Sequence, residues 1–436
     1  MRNSISLLLT ILILSPLLVR AETPPPALSL TQAVATAWAQ SPVLAGVRAE
    51  VPAAAARLEL ARSGGRLIAS TTTFLSTGSL PNNLAGSQAV DPRMYLPSPP
   101  EAQADQNLML MYPVSTGGRV SARVGVASAN LTAAQAEAET ALLDVAYSVR
   151  TAYWQVLLDQ ALVQVQEANV TEQTERLRVD EVEEQNGKIP RYYVLRGRAD
   201  LADAQQELTN ARRDTDVALL RLQQLMGVEP GAPLTLSDAL VYTSAAVPPA
   251  ADLVAEAQSM RPEMLAALAR LDSARRQVAL ARASYSWQVE ATAMGDAFAN
   301  KSSTDAGYSV GVVASVPLAT GGARSAEVAE AQAMLRKADT DRAALALEIS
   351  QGVRSALLDL AAADQNVKTA EAAQAAAEED YRVALLRYRS GKAINLEPIS
   401  ALTALVRAQT RVVQATFEER VASDAVQRAV GNKPAP

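Results

Sequence analysis

The chain has 436 residues, with 40 Lys and Arg against 46 Asp and Glu for a net charge of −6, no cysteine and no histidine. Without thiol or imidazole it can form no disulfide or thiolate metal site, and most nucleophilic and acid–base chemistry is excluded. Its charges are scattered, which leaves no basic footprint for nucleic acid, and with only three Phe and three Trp a large aromatic core is not expected.

Met1 to Ala21 reads as a secretory signal, with Arg2 before the apolar stretch Ile5–Val19 and Val19-Arg20-Ala21 as a small-residue cleavage site. The stretch is broken at Ser15-Pro16 and is shorter than the roughly 20 residues of a spanning helix. Its removal takes Arg2 and Arg20 and moves the net charge from −6 to −8. With no cysteine after it, no lipid anchor is expected.

The rest of the chain is written twice. PVSTGGR, from Pro113 to Arg119, returns as PLATGGA, from Pro317 to Ala323. Gly118, Gly187 and Gly227 match Gly322, Gly391 and Gly431, each 204 positions on. Ser41-Pro42 matches Arg261-Pro262 at 220 positions, so the first copy carries 16 extra residues, placed in the Pro- and Asn-rich stretch Pro81 to Pro100. A whole structural unit has been duplicated. We divide the chain into a signal at 1–21, a first repeat at 22–227, a linker at 228–250, a second repeat at 251–431 and a tail at 432–436.

In chain order, each repeat opens with a helix and continues into strands. Arg66 to Ser76, rich in Thr71, Thr72 and Thr73, and Asn107 to Tyr112 make the first pair. From about Val120 to Gln185 there is no proline and one glycine, and apolar residues recur at steps of three and four, which predicts one very long helix. Gly187 breaks it, Pro190 restarts it, and a second helix runs back to about Met226.

The second repeat follows the same plan. Tyr285, Trp287, Val289, Ala291 and Ala293 alternate with polar residues, as do Tyr308, Val310, Val312, Ala314 and Val316. A long helix from about Ser325 to Arg389 then breaks at Gly391 and returns from about Leu396 to Val430. The acidic runs Asp180-Glu181-Val182-Glu183-Glu184 and Glu378-Glu379-Asp380 read as solvated helix faces.

Four strands with one apolar face, at 9 to 11 residues each, suit a tilted bilayer crossing, with Tyr285, Trp287 and Tyr308 at an interface. Lipid tolerates no unpaired strand edge, and single-chain barrels begin at about eight strands. The four strands therefore close a barrel only in an oligomer, and their number permits a dimer or a trimer. Gly117-Gly118 and Gly321-Gly322, after Pro113 and Pro317, mark the joints where strand passes to long helix; the prolines, lacking N–H, are expected to end sheet pairing. The joints lack the spacing of a phosphate-cradling loop.

LSLTQAVATAWAQSPVL, VRTAYWQVL, PVSTGGR, PLATGGA and the ordered duplication together resemble the TolC-like outer-membrane efflux proteins, over nearly all of the mature sequence. The resemblance implies a mainly α fold with transmembrane β: a trimer whose twelve-stranded β-barrel continues into a periplasmic α-helical barrel. It implies a passive exit duct of a tripartite efflux or type I secretion system, fed by an inner-membrane transporter through a periplasmic adaptor. The adaptor would dock at the hairpin tips, Gly187-Lys188 and Gly391-Lys392.

Carried over from the family, the constricting residues match Tyr388 and Glu397, and three copies of Glu397 would form a cation-favouring ring. Where the family often has an aromatic and an acid before the paired glycines, this chain has Ser115-Thr116 and Ala319-Thr320; Tyr193 and Ser400 stand where acids are common. The rival reading is a periplasmic coiled-coil adaptor without a pore, which shares the signal and the hairpins but usually has one hairpin flanked by soluble β domains. No cofactor or metal is expected, and no enzyme activity.

Overall fold

A computed structural model describes residues 27–78, 101–243, 248–300, 304–390 and 392–433. The expected signal, the Pro81–Pro100 insert and Gly391 lie outside the described residues. The elements are β1 (Ala27–Leu28), α1 (Leu30–Gln40), α2 (Pro42–Ser63), β2 (Ile68–Gly78), β3 (Glu101–Ser115), α3 (Arg119–Gln185), α4 (Arg191–Met226), β4 (Thr235–Leu236), α5 (Ala250–Met260), α6 (Pro262–Ala283), β5 (Gln288–Asn300), β6 (Thr304–Ser315), α7 (Ala323–Arg389) and α8 (Leu396–Val430).

The duplication is carried through element by element. α3 and α7 both have 67 residues and begin 204 positions apart, at Arg119 and Ala323. α1 and α5 have 11 residues, α2 and α6 have 22, and each pair begins 220 positions apart. At about 1.5 Å per residue each 67-residue helix reaches about 100 Å, far longer than one globular core requires. Such a helix is held by lateral packing along its length, here with α4 against α3 and α8 against α7.

The start of each repeat explains its own bend. Ser29 caps α1 in a reciprocal pair with Gln32, its Oγ accepting from the Gln32 N–H at 3.3 Å and its N–H donating to Gln32 Oε1 at 3.0 Å. Ser41 is then held extended by the following Pro42, and Arg261 by Pro262, so the chain turns there before α2 and α6.

Two apolar clusters sit at the level of these short helices. The first joins Val34, Ala37, Val149, Tyr153, Val156 and Leu222; the second joins Ala257, Ile349, Val353 and Val430. In the first, the Tyr153 hydroxyl lies 2.8 Å from both the Leu28 carbonyl and Asp238 Oδ2, while the Leu30 N–H donates to the same carboxylate oxygen. Burial and the Asp238 carboxylate push Tyr153 up to about 12.

The four long strands form one antiparallel sheet in the order β2, β3, β5, β6, which leaves β2 and β6 as its edges. β2 has the expected 11 residues, while β3, β5 and β6 run to 15, 13 and 12; β3 continues back through Ala104, Asp105 and Gln106, where polar residues alternate with alanine and give little contrast. β2 and β5 begin two or three residues later than expected. The turns after α2 and α6 consume the intervening positions: Arg66 donates to the Ser63 carbonyl at 2.9 Å and Ser286 to that of Ala283 at 3.1 Å. Tyr285 and Trp287 therefore precede β5 instead of lying in it.

Pro113 does not end sheet pairing, as its missing N–H suggested. It stays opposite Glu290, and the ladder shifts register between Pro113 and Ser115, which absorbs the lost donor as a bulge. Pro317 lies beyond the end of β6.

Candidate functional site

The register sorts the sheet into two unlike faces. Asp105 pairs with Phe298, Phe298 with Asp305, Asn107 with Asp296, and Pro113 with Glu290, so these four carboxylates project from one face. The other face carries Leu75, Leu108, Leu110, Tyr308, Val310 and Val312 and no charge. Tyr308, Val310 and Val312 are 90%, 78% and 68% exposed although apolar. None of the four strands contains Lys or Arg. One face therefore suits hydrocarbon and the other suits water.

At each joint the polypeptide passes directly from sheet to long helix. Gly117 and Gly118 take φ of +57° and +85°, and Gly321 and Gly322 take +58° and +90°, conformations that side-chain-bearing residues adopt at a cost. Thr116 Oγ1 accepts from the Val120 N–H at 3.3 Å and Thr320 Oγ1 from that of Arg324 at 3.5 Å. These threonines serve free N–H groups at the helix starts, a role their position four residues upstream signals.

At the far ends of the hairpins, Gly187 turns with φ of +70°, its N–H donating to the Glu184 carbonyl at 2.8 Å, and Lys188 donates to that of Glu183 at 2.8 Å. Lys392 donates to the Arg387 carbonyl at 2.9 Å in the second tip. Both lysine side chains are exposed. Glu397, in the first turn of α8, lies 3.2 Å from Arg387 with both groups more than a third exposed, a pair of small energetic weight. Tyr193 stacks on Tyr192 with ring centroids 4.1 Å apart.

Tyr388 leads into a cluster that joins the two hairpins. Its hydroxyl donates to Glu183 Oε2 at 3.4 Å, and burial together with the Asp180 and Glu183 carboxylates pushes it up to about 12. Tyr381 donates to Glu172, and Arg176 Nη2 donates to Asn395 Oδ1 at 3.1 Å. Tyr388, Asp180, Tyr381, Glu172, Arg176 and Asn395 line a cavity of about 140 Å³ between the repeats.

Asp180 is only 1% exposed, which corrects its reading as part of a solvated face. Burial holds its carboxyl above the usual range, opposed by Arg176 and Asn395, and its Oδ2 has no hydrogen-bond partner among the described residues. The sequence reading missed Glu172, Arg176, Asp180, Tyr381 and Asn395. For Glu172, Arg176 and Asp180 the only sequence signal is a charged residue recurring at every fourth position of α3; Tyr381 on α7 and Asn395 before α8 carry none.

Higher up, the repeats are locked by a buried carboxylate. Asp424, on α8, accepts from Arg150 Nη2 at 2.5 Å and from Trp154 Nε1 at 2.8 Å, both on α3, and Arg420 stacks over the Trp154 ring at 5.5 Å. Beside it, Glu263 lies 2.9 Å from Arg261 and 2.5 Å from Arg428. Among the described residues no group of acids is arranged to hold a metal ion, and no helix is long and apolar enough to cross a membrane. The latter bears on helices alone.

Comparison with known proteins agrees with this geometry. The outer membrane efflux protein BepC of Brucella suis biovar 1 (strain 1330) is 26% identical over 292 residues, which span 65% of this chain and 62% of that relative. The outer membrane protein VceC of Vibrio cholerae superposes with a TM-score of 0.77 at 20% identity, over 92% of this chain and 96% of that one. The CmeC outer membrane channel of Campylobacter jejuni gives 0.80 at 16% identity, over 92% and 85%. At these identities the structural likeness is one of fold, and the fold is the TolC-like one that the sequence resemblance implied. Residues 33–228 and 253–432 match the profile of the outer membrane efflux protein family. The chain, with both repeats covered, belongs to that family of the Gram-negative outer membrane.

Proposed function

We propose that three copies of this chain form a passive exit duct, a twelve-stranded barrel in the outer membrane continued across the periplasm by a helical tube. The observation that carries the proposal is the four-stranded sheet with two open edges, an uncharged apolar face and an acidic opposite face. Unpaired N–H and C=O groups at those edges each cost several kcal/mol in hydrocarbon, on the order given by transfer from water, so neighbouring copies must supply the missing partners. The chain then acts by enclosing a path and performs no bond chemistry.

An inner-membrane pump supplies the energy and a periplasmic adaptor joins it to the duct in this reading. The hairpin tips, where Gly187, Lys188 and Lys392 are exposed, are the docking points in this reading, together with the sequence position Gly391. Tyr388, tied to Glu183, and Glu397, weakly held by Arg387, belong to the constriction. The adaptor alternative accounts for hairpins but leaves a bilayer-suited sheet without a purpose. Extraction from outer membranes in detergent, followed by mass measurement and planar-bilayer recording, tests the proposal: a conducting homotrimer is expected, and a soluble monomer without conductance overturns it.

A further inference from the structure

Between the two hairpins one polar atom of each charge sign is left over. Asp180 is 1% exposed, and its Oδ2 has no hydrogen-bond partner among the described residues; Arg176 Nη1, equally closed off from water, has none either. Both residues line the cavity of about 140 Å³ between the repeats. An unpaired carboxylate oxygen or guanidinium N–H in such surroundings carries a desolvation cost that a hydrogen bond to a bound group removes.

Arg176 and Asp180 stand one helical turn apart on α3, a spacing at which opposite charges ordinarily meet. Here they do not close on each other, because Asn395, 4% exposed, serves both. Its Oδ1 accepts from Arg176 Nη2 at 3.1 Å, and its amide donates to the Asp180 carboxylate. The neighbouring groups are already engaged. Tyr381 donates to Glu172, Tyr388 donates to Glu183 at 3.4 Å, and Glu175 lies 2.9 Å from Arg178 at the exposed rim. α4 approaches Asp180 Oδ2 with Gly197, where an added Cβ would lie 3.7 Å away, so that position supplies no polar group. An acceptor from one side chain and a donor from the other therefore border the same space.

We propose that this cavity is a binding site for a small zwitterion with its ammonium and carboxylate one or two carbons apart, of the class of free amino acids. The ammonium meets Asp180 Oδ2 and the carboxylate meets Arg176 Nη1. Side chains one turn apart spring from Cβ atoms about 5–6 Å apart, which suits so short a separation of charges. A simple cation would leave Arg176 unpaired beside it, and a simple anion would add its charge to those of Asp180 and Glu172. A single water, at about 30 Å³, would leave most of the space empty. The volume suits a molecule of about five or six non-hydrogen atoms, the size of glycine, alanine or β-alanine.

The walls come from both repeats, with Arg176 and Asp180 on α3, Tyr381 and Tyr388 on α7, and Asn395 just before α8. An occupant therefore favours the arrangement in which the two hairpins lie together over one in which they separate. The site is complete within one chain, so it stands independently of the duct.

Equilibrium dialysis of labelled glycine against the full chain, extracted from outer membranes in detergent, tests the site. Saturable binding of one glycine per chain is expected, with alanine and β-alanine competing. Ethanolamine and acetate, which carry one end each, are expected not to compete at the same concentration. Asp180→Asn, which keeps the shape of the side chain, and Arg176→Gln are each expected to weaken binding about tenfold or more, the loss of one charged hydrogen bond. Glycine is also expected to raise the guanidinium unfolding midpoint of the parent and to leave that of Asp180→Asn unchanged. Absence of glycine binding, competition by ethanolamine or acetate as strong as that by β-alanine, or unweakened binding in either variant would overturn the site. None of these results bears on the mass or conductance by which the duct is tested.

Discussion

Replacing Glu263 by Gln removes the charge that Arg261 and Arg428 share at the start of α6, and the structure sets the size of the effect. Burial by itself would raise the Glu263 carboxyl, but the two guanidiniums and the backbone N–H at the helix start outweigh it and bring it from 4.5 to about 2. At ~1.4 kcal/mol per pH unit, that depression corresponds to about 3 kcal/mol of stability at neutral pH. The folded value lies below the unfolded one, so this stability is complete above about pH 4.5 and is lost as the pH falls towards 2.

Guanidinium unfolding of the detergent-solubilised protein, followed by helical circular dichroism, measures the difference between Glu263→Gln and the parent at each pH. The variant should be weaker by about 3 kcal/mol near neutral pH, with the gap closing as the solution is acidified through that window. A gap independent of pH, or none at neutral pH, would refute the assignment of the stability to this ion pair.

Asp180→Asn keeps the shape of a buried carboxylate that has little to compensate its charge, so it should stabilise the contact between the hairpins at neutral pH by about 1 kcal/mol, read from the same unfolding transition. Because burial holds Asp180 above the usual range, the parent should gain stability as the pH falls through that raised value, and the variant should lose this gain. Gly117→Ala should impair folding of the single chain, since its Cβ would meet Ser286 and Trp287, while Gly321→Ala should spare the monomer apart from about 1 kcal/mol of backbone strain and instead block assembly. Comparing monomer yield with oligomer yield separates these outcomes. Glu397→Gln should lower cation preference in planar-bilayer reversal potentials if three carboxylates narrow the lumen, and an unchanged preference removes Glu397 from the constriction.

Much of this architecture is legible in the sequence because long helices and glycine breaks are local signals. The absence of proline after Val120, the break at Gly187 and the restart at Pro190 suffice to outline a hairpin, and the repeat at 204 positions supplies the second. Strand limits are less legible. The turns after α2 and α6 and the bulge at Pro113 depend on hydrogen bonds that residue alternation does not encode.

The site was legible only where it coincides with chain breaks. Gly187 and Lys188 stand out as a tip in the sequence, but Asp180 looks like any member of an acidic run. Its burial depends on the second hairpin, more than 200 positions away, bringing Tyr388 and Asn395 against it. The lock at Asp424 is similar, since Arg150 and Trp154 lie over 260 positions earlier and only the packing of α8 on α3 brings them together.

The mass and conductance of the complex extracted from outer membranes test the central claim most directly, because an open-edged sheet of four strands cannot persist alone in lipid. Three chains per particle with discrete single-channel currents are the predicted result. One chain per particle, soluble without detergent and electrically silent, would contradict it.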